Sequence, residues 1–348
     1  MRALLSGYYG KGNGGDEALL ATLLQMLPSH VTPVVLSGNP QETNQRYGVE
    51  ACDRMSIPTI IKSLRSCDAF IWGGGSLIQD STSAISPFYY GGIMALAQKM
   101  GLKTVAWAQG IGPLKRRQTR WMARRTFSNC TKVSVRDNAS AALLREWKVP
   151  HFLAPDPVWA LESKPTPGLW DLPAPRVAVT LRSHPELTAP RLERLTQALV
   201  DFQKATQTFI ILLPFQVAQD YAVAQAIQPA IKDVSQIMCL EDPQILKGVF
   251  RGVEMTIGMR LHSLIMAASE GCRTFAISYD PKVNRLMEDT DMSGWDLANL
   301  PEDPNVISKT WIEHYANGDP LSSDKIQFLL DRASIHKAVL SDALKVGS

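Results

Sequence analysis

The sequence predicts an α/β protein built from two doubly wound parallel-sheet domains facing a cleft, and three observations carry that expectation. Short apolar, β-branched runs alternate with amphipathic helical stretches along most of the 348 residues, the grammar of parallel sheets covered on both faces. Glycine-rich or polar turns follow the strands at their carboxyl ends, where open α/β sheets bind ligands. A proline-rich stretch over 162–175 interrupts the alternation and reads as a linker. The length suits two cores of roughly 150 residues each. The expected layout is an N-terminal domain over 1–161, the linker over 162–175, a C-terminal domain over 176–318 and a helical tail over 319–348.

Taken in order, residues 3–5 read as the first strand. It leads into Gly7-Tyr8-Tyr9-Gly10-Lys11-Gly12-Asn13-Gly14-Gly15-Asp16-Glu17 and an apolar helix over 18–27. Strand, glycine-rich loop and helix form the layout of a phosphate cradle, because glycine lets the backbone approach an anion and a helix N-terminus welcomes negative charge. Gly12, Asn13, Gly14 and Asp16 are the candidate contacts, with a plain tight turn as the alternative. No Gly-Lys-Ser/Thr closes the loop, and the glycine spacing misses the dinucleotide fingerprint. Residues 34–36 read as the second strand, 58–65 as a helix and 69–72 as the third strand. That strand is expected to end in a second turn, Gly73-Gly74-Gly75-Ser76-Leu77-Ile78-Gln79-Asp80, where Gly74 and Gly75 are candidates. A helix over 88–100 precedes a strand over 104–108 and a third loop, Gln109-Gly110-Ile111-Gly112-Pro113, headed by the candidate Gln109. A basic helix, a strand over 132–135, Arg136-Asp137 and a helix over 139–147 capped by Asn138 follow. A strand over 151–154 and the turn Pro155-Asp156-Pro157 close this half.

The second series opens with a strand over 177–181 that leads to Arg182 and His184. A helix over 190–205, a strand over 209–213, a helix over 217–227, a weaker strand over 236–238 and a helix over 243–250 follow. A strand over 255–257 enters Gly258-Met259-Arg260-Leu261-His262, and an apolar helix rich in small residues runs on to Gly271. A strand over 274–277 ends in Ser278-Tyr279-Asp280-Pro281-Lys282. Arg182, Asp280 and Lys282 are candidate substrate contacts at strand ends. The tail reads as polar helices over 306–315 and 324–344, able to pack back on the first domain.

Arg260 and His262 stand at the mouth of a helix, whose first turn has unpaired N–H groups and a positive dipole end. Arginine offers a planar fork for phosphate or carboxylate, and histidine gives or takes a proton near neutral pH. Together they suggest acid–base chemistry on an anion; a surface ion pair beside a hydrogen-bonded core histidine is the alternative. Arg136 has the same address, just past a strand and just before a helix. Asp156 and Asp280 read as local backbone caps or as groups orienting His262 or a substrate group.

Composition narrows the partners. With 36 basic and 33 acidic residues the net charge is +3, so no global field favours nucleic acid. The local exception is residues 115–125, where Lys115, Arg116, Arg117, Arg120, Arg124 and Arg125 interleave with Trp121 and Met122. This reads either as a solvated face or as a landing site for anionic lipid headgroups or a diphosphate-bearing acceptor. The five cysteines lack any C-x-x-C pattern, and the six histidines lack ligand spacing, so no metal is expected. No apolar run approaches the ~20 residues of a membrane span and the N-terminus lacks a secretory pattern, so the expected location is cytoplasmic.

The first loop, the Gly73–Asp80 and Gln109–Pro113 stretches, Ser134-Val135-Arg136-Asp137, the Arg-x-His stretch and Ser278–Lys282 together resemble the polysaccharide pyruvyl transferase family, in particular its cell-wall CsaB-type branch. The ordered matches run from the N-terminus to about Lys282. The resemblance implies a GT-B-like fold and transfer of a pyruvyl group from phosphoenolpyruvate to a sugar of a cell-wall or surface polysaccharide precursor. The product is a cyclic ketal, phosphate is released, and phosphoenolpyruvate is a donor substrate with no cofactor. It also implies a phosphoenolpyruvate site at Arg136 and at Arg260, Leu261 and His262; the chemistry of those side chains makes His262 the expected catalytic acid–base group, with Arg260 and Arg136 holding the anions and stabilising charge as phosphate leaves. The implied acceptor is an amino sugar, of which a polyprenyl-diphosphate-linked form at the inner membrane face would suit the basic helix. Gly14 departs from the family pattern, which has a bulkier apolar residue there, and is expected to loosen the loop. The alternative is a GT-B-type glycosyltransferase using a nucleotide sugar. Many of these carry two glutamates eight residues apart in the second domain, and no pair from Glu162 onward has that spacing. A non-catalytic anion-binding scaffold is a third reading, under which the polar loop groups would lack a purpose.

Overall fold

The computed structural model describes residues 1–81 and 85–345. Two parallel-sheet α/β units result. The first comprises Met1–Lys11, Asp16–Leu161 and the chain from Leu329 onward; the second comprises Gly12–Gly15 and Glu162–Phe328.

In the first unit, β1 (Arg2–Ser6), β2 (Thr32–Ser37), β3 (Glu50–Asp53), β4 (Ala69–Ile78), β5 (Lys103–Ile111), β6 (Lys132–Val135) and β7 (Phe152–Leu153) form one sheet. Its order is β3-β2-β1-β4-β5-β6-β7, and its crossovers include α1 (Gly14–Met26), α2 (Pro40–Tyr47), α3 (Ile57–Arg65), α4 (Ser86–Lys99), α5 (Arg117–Ser128) and α6 (Asn138–Glu146). The order reverses between β1 and β4, and such a reversal opens a crevice at the strands' carboxyl ends. One face of the sheet buries Leu4, Phe70, Trp72, Met94 and Phe127; the other buries Leu5, Leu20, Leu23, Ile71 and Trp107.

In the second unit, β8 (Arg176–Thr180), β9 (Phe209–Leu212), β10 (Ser235–Ile237), β11 (Met255–Gly258), β12 (Arg273–Ser278) and β13 (Gly294–Asp296) pair in the order β10-β9-β8-β11-β12-β13. Its helices are α7 (Ala189–Thr206), α8 (Val217–Ile227), α9 (Pro243–Gly248), α10 (Leu261–Ser269), α11 (Pro281–Thr290) and α12 (Pro304–Asn317). Here the order reverses between β8 and β11. The chain leaves those two strands through Arg182 and Arg260 respectively, so both arginines belong to the switch point.

Several elements differ from expectation. The second and third glycine-rich stretches are mostly strand, β4 running through Ile78 and β5 through Ile111, so that only Gln79-Asp80 and Gly112-Pro113 lie beyond them: Gly73 pairs with Trp107, Gly75 with Gln109 and Ile78 with Ile111, with the register shifting between Gly75 and Ile78. Gly74 and Gly75 have φ of +84° and +85°, a region other residues avoid, so the strand kinks and continues. Asp137, rather than Asn138, caps α6, accepting the Ser140 N–H at 2.7 Å. α2 and β3 were not anticipated because 40–47 is polar without an apolar period and β3 is a short, half-exposed edge strand. Edge strand β13 escaped notice likewise. The expected final helix breaks at Ser334 into α13 (Ser323–Ala333) and α14 (Ile335–Ala343). The proline-rich stretch packs on α9: the Lys164 N–H donates to Gln244 O at 2.9 Å and the Thr166 hydroxyl to Ile245 O at 2.7 Å.

The final helix closes the first unit's core. Val339, Leu340, Ala343 and Leu344 join Leu5, Ile71 and Trp107, and His336, fully buried, sits edge-on to the Trp107 ring. Its Nε2 lies 2.9 Å from Pro155 O, which only accepts, so Nε2 carries the proton. Nδ1 then accepts from the Ser134 hydroxyl at 2.9 Å. Burial, opposed by the Pro155 carbonyl, lowers the His336 pKa from its ordinary 6.5 to about 4. A base whose folded pKa is depressed contributes stability that is fully present above 6.5 and lost as pH falls through about 4. The full effect is on the order of 3 kcal/mol. Wild type and His336→Gln, melted across this range, are expected to differ by an amount that shrinks toward acid pH; a pH-independent difference would contradict the assignment.

Candidate functional site

In the second unit Arg260 is the N-cap of α10 by position, with φ −87° and ψ 130° and no capping by its side chain. Arg260 is 8% exposed. Nε donates to Asp220 Oδ2 and Nη2 to Asp220 Oδ1, both at 2.7 Å, and Nη2 also reaches Gln216 Oε1 at 3.4 Å. Asp220 is 1% exposed and further accepts the Gln216 N–H at 2.9 Å. Asp220 therefore takes one edge of the fork that the sequence reading reserved for an anion. Nη1 is the guanidinium nitrogen that neither Asp220 nor Gln216 engages.

Leu261 and His262 open α10, both half-buried, and the helix behind them is anchored by buried Leu264, Ile265, Met266, Ala267 and Ala268. Ser263 ties the turn down, donating to Arg260 O at 2.7 Å and lying 2.7 Å from the Thr180 hydroxyl. The segment Gly12–Gly15 belongs to this unit. The Gly14 N–H donates to Phe215 O at 2.7 Å, Asn13 forms an antiparallel bridge with Gln216, and Asn13 Oδ1 accepts the Gly15 N–H at 3.1 Å. A Cβ on Gly15 would lie 2.2 Å from His262 Nδ1, and one on Gly14 would lie 2.8 Å from Leu246 Cδ2 and 2.9 Å from Phe215 O. Gly14 thus does not loosen the loop; it permits the loop's closest approach. Asn13, Gly14, Gly15, Arg260 and His262 form one group, while a Cβ on Gly12 would meet no atom of the described residues within 4 Å.

The remaining candidates of this unit are engaged elsewhere. Arg182 donates from Nη1 to the Tyr279 hydroxyl at 2.7 Å and from Nε to Ser183 O at 3.2 Å. Asp280 caps α11, accepting the Lys282 N–H at 2.9 Å, which is the local-cap reading. The Lys282 side chain is half-buried.

In the first unit Arg136 follows β6, its N–H donating to Gln109 O at 3.2 Å. Its Nη1 is bonded to Asp156 Oδ2, and both side chains are buried. Asp156 also caps a short 3-10 helix through the Val158 N–H at 3.1 Å. Here too an expected anion-binding arginine has a carboxylate partner. Beside it, a Cβ on Gly110 would meet Ser76 Oγ at 2.8 Å, Asp137 Oδ2 at 3.4 Å and Arg136 Nε at 3.5 Å. Ser76 Oγ and Gln109 Oε1 are buried without a hydrogen-bond partner among the described residues, and such orphans are uncommon in folded proteins. Gln109 donates to Trp107 O at 2.9 Å. Asp16 lies by Gly75, where a Cβ would be 3.6 Å from its Oδ1, and Gly74 packs on Leu19. Glu17 accepts the Gly10 N–H at 2.8 Å; burial, opposed by that bond, pushes its carboxyl up to about 7.

Sequence reasoning missed Asp220, Gln216, Ser76, Glu17 and His336. Asp220 had a signal: it shares a helix face with Val223, Ala224 and Ile227, an acid on an otherwise apolar stripe. The described residues contain no cluster of three or more His, Cys, Asp or Glu suited to a metal ion, and no described helix is long and apolar enough to cross a membrane.

A family model described as polysaccharide pyruvyl transferase matches residues 13–281. No curated protein sequence matches the chain. Among solved structures, a putative UDP-N-acetylglucosamine 2-epimerase from Listeria monocytogenes is similar with a TM-score of 0.65 and 11% identity, over 100% of this chain and 97% of the other. A UDP-GlcNAc 2-epimerase from Neisseria meningitidis, bound to UDP-GlcNAc, gives 0.63 and 9% over 98% and 100%. MurG from Acinetobacter baumannii gives 0.52 and 11% over 99% of each chain. At these identities the likeness is one of fold, which is GT-B-like.

The contacts of the two glycines separate packing from chemistry. Gly14→Ala would press a methyl against the Phe215 carbonyl and is expected to cost about 1–3 kcal/mol in denaturant unfolding. Gly15→Ala would press on the His262 side chain rather than on backbone; it is expected to cost less stability than Gly14→Ala and to shift the His262 ring resonances. Unshifted resonances would contradict the contact.

Proposed function

Because the chain belongs to the polysaccharide pyruvyl transferase family, we propose that it transfers the pyruvyl group of phosphoenolpyruvate to two hydroxyls of one sugar in a cell-wall or surface polysaccharide precursor. The products are a cyclic ketal and phosphate. One hydroxyl adds to C2 of the donor as a proton reaches the methylene carbon, which becomes the methyl group. The C–O bond to phosphate breaks, and the second hydroxyl closes the ketal while its proton leaves with phosphate.

His262 is the proposed acid–base group. The observation that carries this is its place in the first turn of α10, two residues from Arg260 and against Gly15, in a chain whose family match spans both segments. Arg260, through the edge that Asp220 does not take, and the first N–H groups of α10, Leu261 among them, supply positive potential for phosphate or carboxylate. That potential also favours the charge that develops as phosphate departs. Arg136 is proposed as an anion-binding residue of the first unit, and Gly12, Asn13, Gly14, Asp16, Gly74, Gly75, Gln109, Arg182, Asp280 and Lys282 as substrate-contacting positions with lesser roles. The acceptor proposed is an amino sugar, with a polyprenyl-diphosphate-linked form as the first to test, handled at the inner face of the cytoplasmic membrane.

Phosphate release from phosphoenolpyruvate, with sugars that carry a suitable pair of hydroxyls, tests the reaction. His262→Ala is expected to lower turnover by roughly 10²–10⁴-fold while the fold is kept. Near-full turnover in the variant would remove His262 from the chemistry. Thermal stabilisation of the wild type by a UDP-sugar but not by phosphoenolpyruvate would replace the whole reading with nucleotide-sugar transfer.

A further inference from the structure

The basic stretch before and within α5 is not used by the transfer chemistry. From residue 81 to residue 136 the chain has no Asp or Glu and ten Lys and Arg. The stretch is firmly seated: buried Asp80 accepts the N–H groups of Lys115 and Arg116 at 2.8 and 2.9 Å and the Thr119 hydroxyl at 2.6 Å. Burial alone would raise the Asp80 pKa, but these donors hold it below the ordinary carboxylate value. With the backbone held from inside, the side chains of Lys115, Arg116 and Arg117 are exposed.

Along α5, Thr119, Ala123, Thr126 and Phe127 are buried. Arg117, Trp121, Arg124, Arg125 and Ser128, three or four residues apart, make up the exposed face. Arg120 is neutralised by Glu146 at 2.6 and 2.7 Å. Among the described residues Lys115, Arg117, Arg124 and Arg125 form no ion pair with a carboxylate, and Arg116 forms none either, although its charge helps to lower the Asp80 pKa. Between these cations stands Trp121, 65% exposed, with the Arg125 guanidinium 5.8 Å from its ring centre. α4 packs directly against α5: a Cβ on Gly91 would lie 2.3 Å from Met122 Sδ. At the start of α4, Ile85 and Phe88 are 76% and 44% exposed.

A soluble polyanion would engage the cations and make no use of three large exposed apolar side chains. An anionic bilayer uses both, since indole and aliphatic groups favour the interface while arginines lie among headgroup phosphates. We propose that the exposed face of α5, together with the first turn of α4, seats the protein on a bilayer surface rich in anionic lipid. The inference stands apart from the transfer reaction and does not depend on it.

Flotation with vesicles of phosphatidylcholine alone and of phosphatidylcholine with phosphatidylglycerol tests it. Wild type is expected to float with the anionic vesicles only, and less at high salt. At about fivefold per charge, Arg124→Ala with Arg125→Ala should lower partitioning roughly 25-fold. Trp121→Ser should also weaken it, and Arg124→Lys with Arg125→Lys should preserve it. All these positions are exposed, and unchanged melting temperatures confirm folding. Absence of wild-type flotation with anionic vesicles, equal flotation of wild type and the double-alanine variant, or capture by heparin without vesicle binding would each overturn the proposal.

Discussion

Arg260 gives two of its nitrogens to Asp220, and the cost of burying both charges explains much of what surrounds them. A buried ion pair is held by geometry rather than by large net stabilisation, and removing one partner typically costs about 3–5 kcal/mol because the other is left stranded. Asp220 is therefore tied a second time, by the Gln216 N–H. Gln216 in turn bridges to Asn13, and the neighbouring Phe215 carbonyl receives the Gly14 N–H. The same small region thus fixes the guanidinium, the glycine segment and, through Gly15, the setting of His262. A site assembled this way is preorganised: the arginine cannot swing, and only one of its edges remains for a ligand.

The first unit repeats the device with other parts. Arg136 is bonded to buried Asp156, and the strand that carries it is backed by Ser134, whose hydroxyl joins the Ala108 N–H to His336. His336 comes from the last helix, so the end of the chain supports the strand that carries Arg136. Burial keeps this histidine neutral, which avoids placing a second cation near Arg136. In both units a carboxylate on a neighbouring element orients the arginine, a pattern in keeping with sites where charge must be aimed rather than merely supplied.

The alternation of apolar runs and amphipathic helices made both parallel sheets legible, because strands buried on both faces read as continuous Val, Ile and Leu runs. The ordered motifs made the family legible, and its model spans 13–281. What stayed hidden has particular causes. Gly73–Gly75 look like a turn because glycine usually marks one, yet here positive φ lets a strand kink and continue beside Tyr9 and Leu19. Polar edge elements such as α2, β3 and β13 bury too little to leave a period. The partners of Arg260 and Arg136 lie 40 and 20 residues away in sequence, and only the packing brings them together. Asp220 left a trace as an acid on a buried helix face; Ser76 stood inside a glycine-rich stretch without being singled out, and Gln216 and His336 left none.

The proposed donor site is the mouth of α10, where Arg260 is held by Asp220. Calorimetric titration of phosphoenolpyruvate into the wild type and into Arg260→Lys tests it most directly, since lysine keeps the charge but cannot both hold Asp220 and present a second edge. Clear binding is expected for the wild type, with a loss of roughly ten- to a hundredfold in the variant and the fold verified by melting. Equal affinity in the two proteins, or no binding to the wild type in the presence of a sugar acceptor, would contradict it.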